Sequence, residues 1–189
     1  MMKMDMAANM NLKSAMDANF DRLFMIHCAM SNMAEVMLGN LALRKSHNAD
    51  VRMVARTTIQ GHSAAQANLA RLFRAKAIPM PTNPGPANVA LFEKLSRMSG
   101  PAFDKMYMAQ QVGAHEGAVT LFEHEIMSGK DNDAKMFATN TLPHILMHTA
   151  MIYATATKVK APGVDLRPRA VIEAARQANM KNMAMMGKM

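Results

Sequence analysis

The 189-residue sequence predicts an all-α protein, a four-helix bundle with a long Pro-rich connection between its second and third helices. Three observations carry this reading. Four stretches, residues 20–46, 51–77, 102–128 and 131–157, repeat apolar side chains at the 3.6-residue period of a helix. Almost nothing alternates with the period of two that a half-buried strand requires. The segment Ile78-Pro79-Met80-Pro81-Thr82-Asn83-Pro84-Gly85-Pro86 cannot continue a helix, because four prolines lack backbone donors and fix φ.

Placed at 100° per residue, the first helix turns Phe20, Leu23, His27, Met30, Ala34, Met37, Leu38 and Leu41 inward, with Met33 at one edge and Glu35 on the other side. Ser46-His47-Asn48-Ala49-Asp50 ends it and supplies capping side chains for the next. The second helix presents Val51, Ala55, Thr58, Ala65, Leu69 and Phe73, with His62 at the centre of the stripe. A short helix over 87–98 fits inside the connection. The third long helix aligns Asp104, Met108, Gln111, His115, Val119, Phe122 and Ile126. Ser128-Gly129-Lys130-Asp131-Asn132-Asp133 then stops that helix and caps the fourth, where Phe137, Thr141, Ile152 and Thr155 flank His148, with His144 one turn before it and Met151 one turn after. Ala161-Pro162-Gly163 closes the body, and Pro168 can begin a short C-terminal helix. The organisation expected is a Met-rich N-terminal segment (1–19), a bundle domain (20–157) and a basic, Met-rich tail (158–189).

Composition excludes several function classes. Of the net charge of +8, residues 158–189 carry +5, from seven Lys or Arg against two Asp or Glu, so the body is nearly neutral. With no Trp, seven Phe and two Tyr, there is little to stack on bases, and no specific nucleic-acid partner is expected. No apolar run approaches the roughly 20 residues of a transmembrane segment. Cys28 is the single cysteine, so an internal disulfide is impossible, and its neighbour His27 points about 100° away on a helix, too far round for a thiolate pair.

His62, His115 and His148 share a feature that periodicity exposes: each lies on an inward stripe near the middle of its helix. An imidazole buried without a partner costs on the order of 1–3 kcal/mol, so three in one layer call for hydrogen bonds or a metal. Imidazole suits zinc, copper, iron and nickel. His144 and His148, at i and i+4, form a further candidate pair. Asp104 stands about 16 Å from His115 along the helix axis and belongs to another layer.

Glu35-Val36-Met37-Leu38-Gly39-Asn40-Leu41-Ala42-Leu43, the segment around His62, Ser99-Gly100-Pro101-Ala102-Phe103-Asp104-Lys105-Met106-Tyr107 leading to Ala114-His115, and Leu142-Pro143 followed by His148 occur in order and at characteristic spacing. Together they resemble the ferritin-like domain of unknown function numbered 4142, over residues 18–157. The resemblance implies a ferritin-like bundle, usually exported in bacteria, with recurring polar positions at Glu35, His62, Asp104, His115 and His148. One departure is Gly61, where the family usually has an acidic residue before the histidine. The chain also lacks the Glu-x-x-His pair that di-iron oxidases place on facing helices, so ferroxidase activity is not expected.

Methionine supplies the remaining signal. Of 24, six lie in residues 1–16 and five in 180–189, in polar surroundings with no core to fill. Closely spaced thioethers such as Met183-x-Met185-Met186 suit monovalent copper or silver. The inward set His27, Met30, Met33 and Met37, with Met151 beside His148, would extend such ligation into the bundle. The expected function is therefore copper binding, or binding of another transition metal, for storage, buffering or delivery rather than catalysis. The competing reading is a structural or stress-related envelope protein whose histidines are only hydrogen-bonded. Residues 1–19 carry no apolar signal core, and a mature periplasmic form is expected, with a metal ion as partner and room for a homo-oligomer.

Overall fold

The computed structural model describes residues 2–164, with side chains from Asn19 onward. Five helices follow one another: α1 (Met2–Lys45), α2 (Ala49–Ala75), α3 (Pro86–Ser96), α4 (Gly100–Ser128) and α5 (Asn132–Lys158). There is no strand among the described residues. Local chemistry sets the boundaries. Asn48 caps α2 by accepting from the amides of Asp50 and Val51, and Asp131 caps α5 by accepting from those of Asp133 and Ala134. Pro86 and Pro101 occupy the first turns of α3 and α4, where a missing donor costs nothing.

α1 begins at Met2 rather than near residue 20, a correction to the expected boundary. Residues 2–19 contain neither Gly nor Pro and are rich in Ala and Met, so nothing in them ends a helix. The tail over 165–189, with Met183, Met185, Met186 and the helix expected after Pro168, lies outside the described residues.

The four long helices close a ring in which α1 packs on α2, α2 on α5, α5 on α4 and α4 on α1. Neighbours run antiparallel. The end of α2 meets the start of α5 through Lys76 and Asp133 at 2.9 Å, and the middle of α1 meets the end of α4 where Asp21 accepts from the Lys130 amide at 3.0 Å, while Glu35 farther along α1 meets Gln111 nearer the start of α4. α2 and α4 are consequently parallel across the diagonal. The chain leaving α2 must travel back along the bundle before α4 can start, which accounts for the long connection and for α3 lying against α1 and α4.

The core is divided in two. Around the start of α4, Leu38, Leu41, Val51, Val54, Leu95, Phe103, Tyr107 and Ile152 pack together. At the other end Phe24, Leu69, Phe73, Phe122, Phe137 and Leu142 do so, with Phe24 edge-on to Phe122 at 5.0 Å. Between these clusters runs a belt of buried polar side chains: Asn32, Glu35, Gln111, His115 and His148.

The inward face of α1 differs from the helical-wheel reading. Asp21, Phe24, Cys28, Asn32, Glu35, Leu38 and Ala42 are buried, while Leu23 is 52% exposed and His27 is exposed. Glu35 therefore faces the core. Methionines and alanines surround this helix on every side, so its apolar period is weak and its phase cannot be read from hydrophobicity alone.

Another buried carboxyl, Glu125, closes the α4–α5 end. It lies against Asp21, whose own oxygens are held by the amides of Lys130 and Asp131, and neither Glu125 oxygen has a hydrogen-bond donor. Burial and the neighbouring Asp21 push Glu125 up to about 8. The folded chain thus keeps a proton that the unfolded chain releases above 4.5, and stability falls as pH rises from there through 8. Glu125→Gln keeps the shape and cannot ionise. Thermal melts should show it close to the parent at about pH 5 and more stable than the parent above about pH 8.

Candidate metal centre

α2, α4 and α5 each contribute one imidazole to the polar belt. The ring centroids of His62, His115 and His148 are 5.6, 5.6 and 5.8 Å apart, nearly an equilateral triangle. One ring nitrogen from each lies within 4.8 Å of the other two. Tetrahedral ligation at a metal–nitrogen distance of about 2.0–2.1 Å sets donors roughly 3.4 Å apart, so small ring rotations bring the three onto one ion.

Hydrogen bonds behind two of the rings fix which nitrogen points inward. Asn32 donates from Nδ2 to Gln66 Oε1 at 3.1 Å, which leaves Asn32 Oδ1 to accept from His62 Nδ1 at 2.9 Å. His115 Nδ1 donates to the Gln111 carbonyl, one turn back on its own helix, at 3.1 Å. Both rings therefore carry the proton on Nδ1 and a lone pair on Nε2. Nε2 of His62, Nε2 of His115 and Nδ1 of His148 are all buried without a hydrogen-bond partner. No protein group pairs these three atoms among the described residues, and a cation held between the rings would satisfy all three.

His148 reaches the triangle because residue 61 is glycine. A Cβ at Gly61 would come within 2.5 Å of His148 Cε1 and 2.9 Å of Nε2, closer than any side chain tolerates. The ring fills the space that a side chain on α2 would take.

The electrostatics favour neutral rings. Burial, then the neighbouring His115 and His148, lower His62 to about 3. Burial lowers His115 to about 4, and burial with His115 and His144 lowers His148 to about 4. Each is thus deprotonated and ready to ligate at any pH above about 5. The nearest carboxyl is Glu35, which accepts from Gln111 Nε2 at 2.8 Å and is pushed up by burial to about 7. Gln111 links the two, holding Glu35 with its amide group and His115 with its carbonyl. The cavity beside the rings, about 100 Å³ and walled in part by Cys28 and Glu35, has room for an ion and one or more small ligands. Cys28 is no thiolate there, since burial first and Glu125 second hold its thiol well above the ordinary range.

Of the residues singled out from the sequence, His62, His115 and His148 meet in one layer, and Glu35 joins its wall. His27 and His144 are exposed at the rim of the same cavity. Met30, Met33, Met37 and Met151, expected to extend thioether ligation into the bundle, are not among the described residues that line the histidine cavity. Met30 packs its methyl end on Gly85 of the connection, where a Cβ would come within 2.4 Å. Met33 and Met37 line a shallow groove between α1 and α2, and Met37 and Met151 also pack on the core around the start of α4. The reason is rotation about α1: Cys28, Asn32 and Glu35 occupy the face toward the histidines, which leaves Met30, Met33 and Met37 round the cylinder. Asn32 and Gln66, which orient His62, escaped the sequence reading. Asn32 stands one turn from Glu35 and shares its face, so the correct phase of α1 would have found it.

The architecture and the site define a class: an all-α bundle whose core is interrupted by three converging imidazoles. Residues 3–155 match the family described as Domain of unknown function (DUF4142), and the chain belongs to it. Among solved structures, a protein from Streptomyces coelicolor described as a DUF305 secreted protein is similar, with a TM-score of 0.64 and 14% sequence identity, covering 77% of this chain and 94% of that one. At that identity the likeness shows the fold. No curated protein matches the chain. No described helix is long and apolar enough to cross a membrane.

Proposed function

We propose that this protein binds one transition-metal ion, copper foremost, through His62, His115 and His148, and serves in metal storage, buffering or delivery in the bacterial envelope. The observation that carries the reading is the set of three buried ring nitrogens that face one another with no hydrogen-bond partner. Three neutral nitrogens without a carboxylate among them suit cuprous copper better than the hard oxygen-seeking ions. A second ion would lack bridging oxygens, because among the described residues Glu35 is the one carboxyl in the wall and is already held by Gln111. Low charge at the donors and no second ion favour holding a metal over oxidising one. An envelope location fits the family's exported habit and the secreted description of the structural neighbour.

Cuprous ion titrated into the purified full chain against a competing chelator should be retained at one equivalent. Single replacements His62→Ala, His115→Ala and His148→Ala should each weaken retention by about a hundredfold, within the range expected when a metal site loses a ligand or its support. Retention that is equal in all four proteins would overturn the reading. Metal analysis of protein purified from its own host identifies the physiological ion.

A further inference from the structure

A groove of about 810 Å³ runs along the seam between α2 and α5. Its floor is shared with the histidine cavity, because Gly61, Thr141, His144 and His148 line both spaces. His148 thus shows one side to the core site and the other to the groove. Outward from it on α5 stand His144 and Met147, both exposed, Met147 at 53%. They are three residues apart and so are neighbours on the helix surface, with His144 one turn, about 6 Å of axial rise, from His148. Farther along the same groove Met136 is 58% exposed.

The groove sets these exposed methionines beside histidine in a wall with few charged groups. Apart from methionine and histidine the polar lining is Gln, Asn and Thr, with Arg71 and a single carboxylate, Asp133, which Lys76 already holds at 2.9 Å. Hard divalent ions find no oxygen cage in it. A soft monovalent ion finds a thioether and an imidazole on neighbouring positions of one helix face.

We propose that His144 and Met147 form an outer station that captures a monovalent soft metal ion, cuprous or silver, and passes it through His148 to the buried triad. This rests on the core reading for its destination, whereas the station itself stands on the groove. The transfer is a ligand exchange with no change of oxidation state: His144 stays bound while His148 replaces Met147, and the ion then moves inward as His62 and His115 replace His144. Two weak exposed ligands that release easily, followed by three buried ones that do not, give a one-way gradient of affinity.

The test uses the full chain and the metal alone. Copper is offered as its coloured cuprous bicinchoninate complex, and loss of colour follows transfer. The double variant His144→Gln with Met147→Leu is expected to load at least tenfold more slowly than the parent and to reach the same one-ion occupancy, with affinity unchanged within about twofold. An unchanged loading rate overturns the station, as does an affinity loss that matches the rate loss, since His144 would then be a ligand of the final site. A second measurement is independent of the core: silver ion added to protein carrying His62→Gln should shift the Met147 methyl resonance before those of buried methionines, and an unmoved Met147 methyl overturns the proposal. Should the parent take up no copper at the core, the proposed function falls, and the silver shift still decides the station.

Discussion

Gly61→Ala is expected to abolish tight metal binding while leaving the bundle folded. The added Cβ would lie 2.5 Å from His148 Cε1, so the ring must leave its position or the two helices must part. The helices are held by packing along their length, whereas the ring has the α2–α5 groove beside it and can rotate outward about χ1 and χ2. Rotation outward removes His148 Nδ1 from the triangle, and two imidazoles remain. The expected loss of affinity is about a hundredfold or more, as for removal of a ligand. Backbone propensity works the other way, since Ala is favoured over Gly inside a helix by about 1 kcal/mol. Chemical denaturation should therefore show the metal-free variant as stable as the parent within about 1 kcal/mol, while chelator competition shows the loss of copper. Gly113→Ala is the control. Gly113 is exposed with nothing within 4 Å of its would-be Cβ, so this change should stabilise the helix and leave copper affinity alone.

Acidification should unfold the metal-free protein while metal binding stays level through neutral pH. His62, His115 and His148 have folded-state values of about 3, about 4 and about 4 against an ordinary 6.5. Between pH 6.5 and about 3 the unfolded chain binds protons at these rings and the folded chain does not, so their contribution to stability declines as pH falls through that window, offset in part above 4.5 by Glu35 and Glu125, which keep protons in the folded chain, and unopposed below it. The sum over three rings is on the order of several kcal/mol, a large share of the 5–15 kcal/mol that holds a typical domain together. Helical circular dichroism followed from about pH 7 to pH 4 should register a transition that His115→Gln shifts to lower pH, because one ring fewer has to be protonated. Binding behaves differently. Rings that are already neutral release no protons to the metal, so copper affinity should vary little between about pH 5 and pH 8, where solvent-exposed histidine sites lose affinity steeply. A tenfold fall in affinity across that span would show that the ligating groups are not the buried triad.

Much of the candidate site is legible without coordinates because, on three helices, counting at 100° per residue from inward apolar positions brings the histidine onto the same face, most clearly on α2. On α2, Val51, Ala55, Thr58, Leu69 and Phe73 are inward by period and buried in fact, so the position of His62 between them is fixed by counting. The same holds for His115 between Gln111 and Phe122 and for His148 between Phe137 and Ile152. Equal depth along helices of similar length then puts the three rings in one layer. α1 fails this logic for a physical reason. Methionine packs adequately on a core or a surface, so a helix studded with it has no clear apolar stripe, and Glu35 looks like a solvated residue when it is a buried one.

The amino-acid sequence alone determined the helices apart from the start of α1, their caps, the proline-rich return and the three histidines that share a depth, because periodicity, breakers and length are local properties that propagate linearly along a helix. What only the tertiary structure decided is rotational and pairwise. It set the phase of α1, the Asn32 and Gln111 contacts that aim Nε2 of His62 and His115 inward, the space at Gly61 that admits His148, and the groove that puts His144 and Met147 outside the same ring. Such features depend on which residue of one helix faces which residue of another, and that is settled by packing two surfaces together rather than by the pattern written on either.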